Sequence, residues 1–236
     1  MPLHLLHIDS SARPGRAGEH PHGSQTRRLT HRFVSRWCDA RPGDTVHYRD
    51  VGAEPPLPVS HAWVGAAFTP AGEHAPWMLG ALDESDILVD ELLRADVLVI
   101  GAPLYNFGPP APLKAWIDNV VRAGRTVAID TARPDDPYRP LLADRPRTAI
   151  VLSSRGGFGY GPGEPMAGMN HLEPSLRTAL AFIGITDVRE AVIEHEEHKD
   201  TQEFERSVTT ALQDVDAIVD TLLAHRRMQT TVAQTA

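Results

Sequence analysis

The chain alternates short apolar runs with longer stretches of helical periodicity. Five runs are dense in aliphatic, often β-branched residues: Leu3 to Ile8, Asp44 to Tyr48, Val97 to Ile100, Thr148 to Ser153 and Val188 to Glu194. Runs of four to eight such residues bounded by turn formers predict strands, and near-continuous apolarity predicts strands buried on both faces. Between them, apolar positions recur at i, i+3, i+4 and i+7, the spacing of one helix face. Leu29, Phe33 and Trp37 form the first stripe; Leu113, Trp116, Ile117, Val120 and Val121 form another. Leu172, Leu176, Leu180 and Ile183 form a third, stopped by Gly184, and Phe204, Val208, Leu212, Val215, Val219 and Leu222 predict a long last helix. Helical segments are also expected over 60–68 and 83–94. Residues 125–146 carry four prolines and little periodicity, predicting an irregular excursion with a short hairpin. Five strands alternating with helices, without internal repeats, predict an α/β fold: one three-layer domain over residues 1–225 around a five-stranded parallel sheet, followed by a disordered tail over 226–236.

In open sheets of this kind ligands bind beyond the carboxyl ends of the strands. The unusual loops fall there. The first follows Asp9 and runs through Ser11 to Ser24-Gln25-Thr26, where a helix opens. Hydroxyls, an amide and the free N–H groups of a helix start suit a phosphate, and Ser24 equally suits an N-cap. Both readings stand on these residues alone. The second loop, Pro103-Leu104-Tyr105-Asn106-Phe107-Gly108, offers two aromatic rings beside a strand end; the rings suit a flat ligand or plain loop packing. Three prolines, at 109, 110 and 112, precede the next helix, a position proline tolerates. The third loop, Ser154-Arg155-Gly156-Gly157, combines a cation with glycines that let backbone N–H groups approach closely.

Composition narrows the alternatives. Apolar residues at 42 % and charged residues at 23 % fit a globular protein with a core, and no apolar run reaches the roughly 18–20 residues that span a bilayer. A formal charge of −8 argues against nucleic-acid binding. The opening MPLHLLHIDSSA has no basic leader or apolar core, and the single Cys38 excludes an intrachain disulfide, so a cytoplasmic location is expected. Cys38 itself reads as a packing residue. Asp-Ser-Ser after the first strand is no dinucleotide fingerprint, and Walker and G-x-S-x-G motifs are absent. The stretch Glu194-His195-Glu196-Glu197-His198 is one residue short of a zincin motif, so no metal site is expected. Asp9 and Asp50 at strand ends would suit a phosphorylated receiver domain, but that fold is far shorter and needs a lysine after its fifth strand.

Taken together, D-S-S, S-Q-T at 24–26, A-P-L-Y-N-F at 102–107, L-K-A-W-I-D-N-V-V-R-A-G at 113–124, S-S-R-G-G at 153–157 and L-E-P-S-L-R-T-A-L-A-F-I-G-I-T at 172–186 resemble the FMN-dependent NAD(P)H azoreductase and quinone-reductase family. The resemblance implies a flavodoxin-like fold. It implies that Ser11, Ser24, Gln25 and Thr26 hold the FMN phosphate, that Pro103, Leu104, Tyr105, Asn106 and Phe107 line the flavin ring, and that Ser154, Arg155, Gly156 and Gly157 meet its pyrimidine edge. It also implies NADH or NADPH as hydride donor, ping-pong reduction of a small quinone, azo or similar flat acceptor, and a homodimer with the site at the subunit interface. No residue is assigned as an obligatory acid or base. The chain departs from the family in its longer loop between Ser11 and Ser24, with Arg13, Arg16, His20 and His22. It also departs in residues 130–146, and at Val127 and Ser175, where the family carries aromatics. Two alternatives share these loops: a flavodoxin-like electron carrier or regulatory protein without small-acceptor turnover, and a reductase dedicated to a biosynthetic intermediate.

Overall fold

The computed structural model describes residues 2–235, with side chains as far as residue 225 in the last helix. Five parallel strands form one sheet: β1 (His4–Asp9), β2 (Thr45–Asp50), β3 (Val97–Pro103), β6 (Thr148–Ser154) and β7 (Asp187–Ile193), in the order β2-β1-β3-β6-β7. A separate antiparallel hairpin, β4 (Val127–Ile129) with β5 (Tyr138–Pro140), lies in the 125–146 excursion, as expected. The helices are α1 (Gln25–Ala40), α2 (His61–Ala67), α3 (Pro76–Arg94), α4 (Ala111–Val120), α5 (Glu173–Ile183) and α6 (Gln202–Thr235). The tail expected over 226–236 lies outside the residues whose side chains are described.

Each expected strand is present, with ends displaced by one to three residues. β3 runs on through Gly101 and Ala102 to Pro103, pairing as far as Ser154 of β6. Proline is tolerated there because it closes the strand. The helix expected at 83–94 begins earlier, at Pro76, which fills its first turn. Its first turns hid from the periodicity because Trp77 and Leu79 face solvent.

The two-residue alternation of the strands sorts the core into two layers. Leu5, Val97, Val99, Ile150 and Leu152 face α1 and α6, meeting Leu29, Phe33, Trp37 and Val215. Leu6, Leu98, Ile100 and Val151 face the opposite way, onto Leu88, Leu92, Trp116 and Leu176. Every residue of β3 and β6 is buried, and the edge strands β2 and β7 are only partly covered. Trp37 stacks on Phe33, and its indole N–H donates to Asp44 at 2.9 Å. Burial alone would push the Asp44 carboxyl up. The Arg41 guanidinium, the Leu3 N–H and the Trp37 indole outweigh that effect and hold it below the usual carboxylate range. Cys38 is half-buried, and burial with the neighbouring Asp39 and Asp44 pushes its thiol up, away from reactivity.

Sheet order reverses between β1 and β3, since the chain passes from β1 outward to β2 and then back to β3. The gap at that reversal is the place an open α/β sheet offers a ligand. Gly101 makes the close approach there possible. A Cβ on it would sit 2.5 Å from Asp9 Oδ1 and 2.8 Å from Thr30 Cγ2.

Gly101→Ala is therefore expected to lower unfolding free energy by about 1–3 kcal/mol through overpacking. Gly80→Ala, in the exposed part of α3 with open space around it, should raise it by about 0.5–1 kcal/mol. Urea titration of both variants reads the opposite signs. A folded pKa below the unfolded one means that Asp44 stabilises the fold above the ordinary carboxylate range and loses that contribution as pH falls through its folded value. Asp44→Asn should cost about 2 kcal/mol at pH 7, with the gap to wild type narrowing near pH 3; an unchanged gap would sink this account.

Candidate active site

The end of β1 is built around one guanidinium. Parallel pairing sets Asp9 of β1 directly beside Asp50 of β2. Two neighbouring carboxylates need a cation, and Arg27, in the first turns of α1, provides it. Its Nη1 and Nη2 donate to Asp50 at 2.7 Å each, and Nη1 lies 3.4 Å from Asp9 Oδ2. The remaining donors reach the Arg13 carbonyl at 2.9 Å, the Ser11 carbonyl at 3.0 Å and the Tyr48 hydroxyl at 2.8 Å. Burial would lower the Arg27 pKa, but Asp50 and Asp9 outweigh it and keep the side chain fully charged. Burial and the same two carboxylates raise the Tyr48 phenol, so it stays a neutral donor. The first loop is thus pinned through its backbone carbonyls.

Beside this hub lies a cleft of about 170 Å³ where the three expected loops meet. Ser11, Ser24 and Gln25 line it from the first loop, Pro103, Leu104 and Tyr105 from the second, and Ser154, Arg155 and Gly156 from the third. Thr26, Asn106, Phe107 and Gly157 do not line it. Thr26 is fully buried beneath Ser24, with their hydroxyls 2.9 Å apart. Ser24 caps α1 as well, accepting the Arg27 N–H at 3.3 Å. Asn106 and Phe107 form a tight turn closed by reciprocal backbone bonds between Tyr105 and Gly108, of 3.0 and 3.1 Å. Both turn residues have positive φ, 45° and 73°. For Phe107 this is strained by about 1–2 kcal/mol, and the His171 N–H holds it by donating to its carbonyl at 2.8 Å. The turn leaves the rings of Tyr105 and Phe107 partly exposed at the rim. A Cβ on Gly157 would lie 3.3 Å from the Tyr160 ring, which in turn carries the Arg155 guanidinium 5.5 Å from its centroid.

Arg155 is buried with Glu173, Nη2 lying 3.3 Å from Oε1, which also accepts the Ser153 hydroxyl at 2.6 Å. Its Nε lies 3.6 Å from Glu194. Two residues that sequence reasoning missed enter from the turn after β7. Glu196 and Glu197 line the cleft, held there by backbone N–H bonds to the carbonyls of Arg155 and Gly156 at 3.1 and 3.0 Å. They belong to the Glu-His-rich stretch whose spacing falls one residue short of a zincin motif. Its position after the fifth strand was the signal that could have placed them at the cleft. Among the described residues, no group of three or more His, Cys, Asp or Glu side chains is placed to hold a metal ion.

Cofactor fit can be tested on unmet polar atoms. Gln25 Oε1 and Arg155 Nε and Nη1 are buried without hydrogen-bond partners, and both residues line the cleft. Such groups are rare in finished structures and often await a ligand. Neutral donors at one side, aromatic rings at the rim and a guanidinium with close backbone at the other side suit a phosphorylated, flat, polar-edged molecule such as FMN.

Comparison with known proteins gives the same answer from another direction. A family model described as the flavodoxin-like fold matches residues 4–217. The chain is 42 % identical over 196 residues to the FMN-dependent NADH:quinone oxidoreductase 2 of Idiomarina loihiensis, covering 83 % of this chain and 81 % of the relative. With the FMN-dependent NADH:quinone oxidoreductase 2 of Colwellia psychrerythraea it shares 37 % identity over 219 residues, 93 % of this chain and 99 % of that one. The crystal structure of azoreductase from Bacillus anthracis str. Sterne superposes with a TM-score of 0.79 at 24 % identity, covering 94 % of this chain and all of the other, a likeness of fold. This chain belongs to the flavodoxin-like family of FMN-dependent NAD(P)H:quinone oxidoreductases.

Proposed function

We propose that residues 1–225 form one FMN-binding domain that works as an NAD(P)H-dependent reductase of quinones, azo compounds or related flat electrophiles. The observation that carries this reading is the convergence of the three strand-end loops on one cleft with unmet polar atoms at Gln25 and Arg155. The names of relatives 37–42 % identical over most of the chain support it. Ser11, Ser24, Gln25 and Thr26 hold the phosphate, Thr26 by fixing Ser24. Pro103 to Phe107 flank the ring, with Asn106 and Phe107 shaping the turn that presents Tyr105. Ser154 to Gly157 meet the polar edge.

When bound, FMN supplies the two-electron chemistry, accepting a hydride from NADH or NADPH and passing it to the acceptor. The chain's own part is placement. Hydroxyls and helix N–H groups would anchor one end and the rim aromatics would shield a face of the ring, supplying proximity without a protein nucleophile. The Arg155 cation would offset negative charge on the polar edge of the reduced ring, and Glu173 fixes the guanidinium's orientation. We further infer a homodimer completing the cleft's open rim, where Tyr105 and Phe107 are exposed, and a cytoplasmic setting. No helix among the described residues is long and apolar enough to cross a membrane.

Purified protein is expected to be yellow and to release FMN on denaturation. Stopped-flow mixing with NADH should bleach the bound flavin, and menadione should restore its colour within the turnover time; a flavin indifferent to NADH and NADPH would favour the electron carrier instead. Light scattering should report twice the chain mass. Arg155→Met should weaken FMN binding and lower the midpoint potential of the flavin that stays bound, because the loop loses its pair with Glu173 and the reduced ring loses its cation.

A further inference from the structure

The cleft has an unusual charge balance for a phosphate site. Its charged lining residues are Arg13, Arg155, Glu196 and Glu197. Arg155 is committed to Glu173 and sits near Glu194, and the neighbouring Arg27 is committed to Asp9 and Asp50. Without Arg13, a phosphate monoester carrying about −1.5 to −2 at pH 7 would face two carboxylates with only neutral hydroxyl and amide donors to offset them. A charged donor makes a markedly stronger bond to phosphate than these.

Arg13 is built to move. Its backbone is fixed, the N–H donating to Ser11 Oγ at 3.2 Å and the carbonyl accepting from Arg27 Nε at 2.9 Å. Its side chain is half exposed and ion-paired across the cleft with Glu196, joining the first loop to the turn after β7. Glu196 has a second cation at hand, Lys199 Nζ at 3.7 Å. Departure of Arg13 therefore leaves no largely buried carboxylate without a partner, the outcome that makes breaking such pairs costly.

We propose that Arg13 is the charge partner of the ligand's phosphate, held by Glu196 until the phosphate enters and then exchanged for Lys199. The inference rests on the FMN reading and deepens it: the Arg13–Glu196 pair competes with the cofactor, so phosphate recognition is gated by one carboxylate. Selectivity for the phosphorylated flavin then comes from Arg13, while the ring loops serve FMN and riboflavin alike.

Fluorescence titration of full-length, flavin-free protein with FMN and with riboflavin, at 50 and 500 mM NaCl, tests this. For Arg13→Ala, FMN affinity should fall about tenfold or more at low salt with riboflavin unchanged, and the salt dependence of FMN binding should flatten. Arg13→Lys should recover part of the loss. Glu196→Gln, which frees Arg13, should tighten FMN several-fold without touching riboflavin. Wild-type FMN affinity in Arg13→Ala overturns the inference and leaves the cofactor reading standing. Equal loss of both flavins also overturns it, assigning Arg13 to loop structure. A wild-type protein that binds neither flavin takes down the cofactor reading itself.

Discussion

The site depends on the Arg27 guanidinium and the carboxylates of Asp9 and Asp50. Register places those carboxylates side by side at the ends of adjacent strands, one nearly fully buried and the other mostly so. Left unpaired, they would repel each other and splay the strand ends. Removing the cation from such a cluster typically costs about 3–5 kcal/mol, because a desolvated charge is left uncompensated. Arg27 also holds the carbonyls of Ser11 and Arg13, so one side chain joins two strands, the start of α1 and the first loop. Polar groups lining the cleft inherit their positions from this cluster.

The other two loops are fixed by different means. The second is held by backbone alone: β3 and β6 pair to their last residues, the Leu104 N–H donates to the Ser154 carbonyl at 2.8 Å, and the turn at Asn106-Phe107 is locked in a left-handed conformation. Strain of this kind persists only where surroundings over-determine it, and the strand end and the His171 bond do so here. The third loop is held by a buried pair, Arg155 with Glu173, and by backbone bonds to the turn after β7. Electrostatics, backbone geometry and a buried ion pair thus each position one wall. Rigid placement of this sort is what a protein contributes when a cofactor carries the chemistry.

Much of the fold was legible because its interior strands are buried on both faces. Val97 to Ile100 and Ala149 to Leu152 are apolar throughout, and such runs stand out in any window. The stripe Leu29, Phe33 and Trp37 was equally plain, since all three are fully buried along one face of α1. Boundaries were less plain. The start of α3 escaped because exposed Trp77 and Leu79 break the stripe, and β3 reaches Pro103 because pairing with β6 carries it past the apolar run.

Local sequence determined the elements, the strand-end loops and the hydroxyls, rings and glycines they carry, because periodicity and turn chemistry act over a few residues. Tertiary structure alone decided which charges meet. Arg27 lies 23 positions from Asp50, and Arg13 lies 183 from Glu196; no short-range pattern encodes such pairings. They follow from strand order and register, which bring the first loop against the second strand and the last turn. The carboxylates at Glu196 and Glu197, read in sequence as a failed metal motif, become walls of the cleft only because the fifth strand ends beside it.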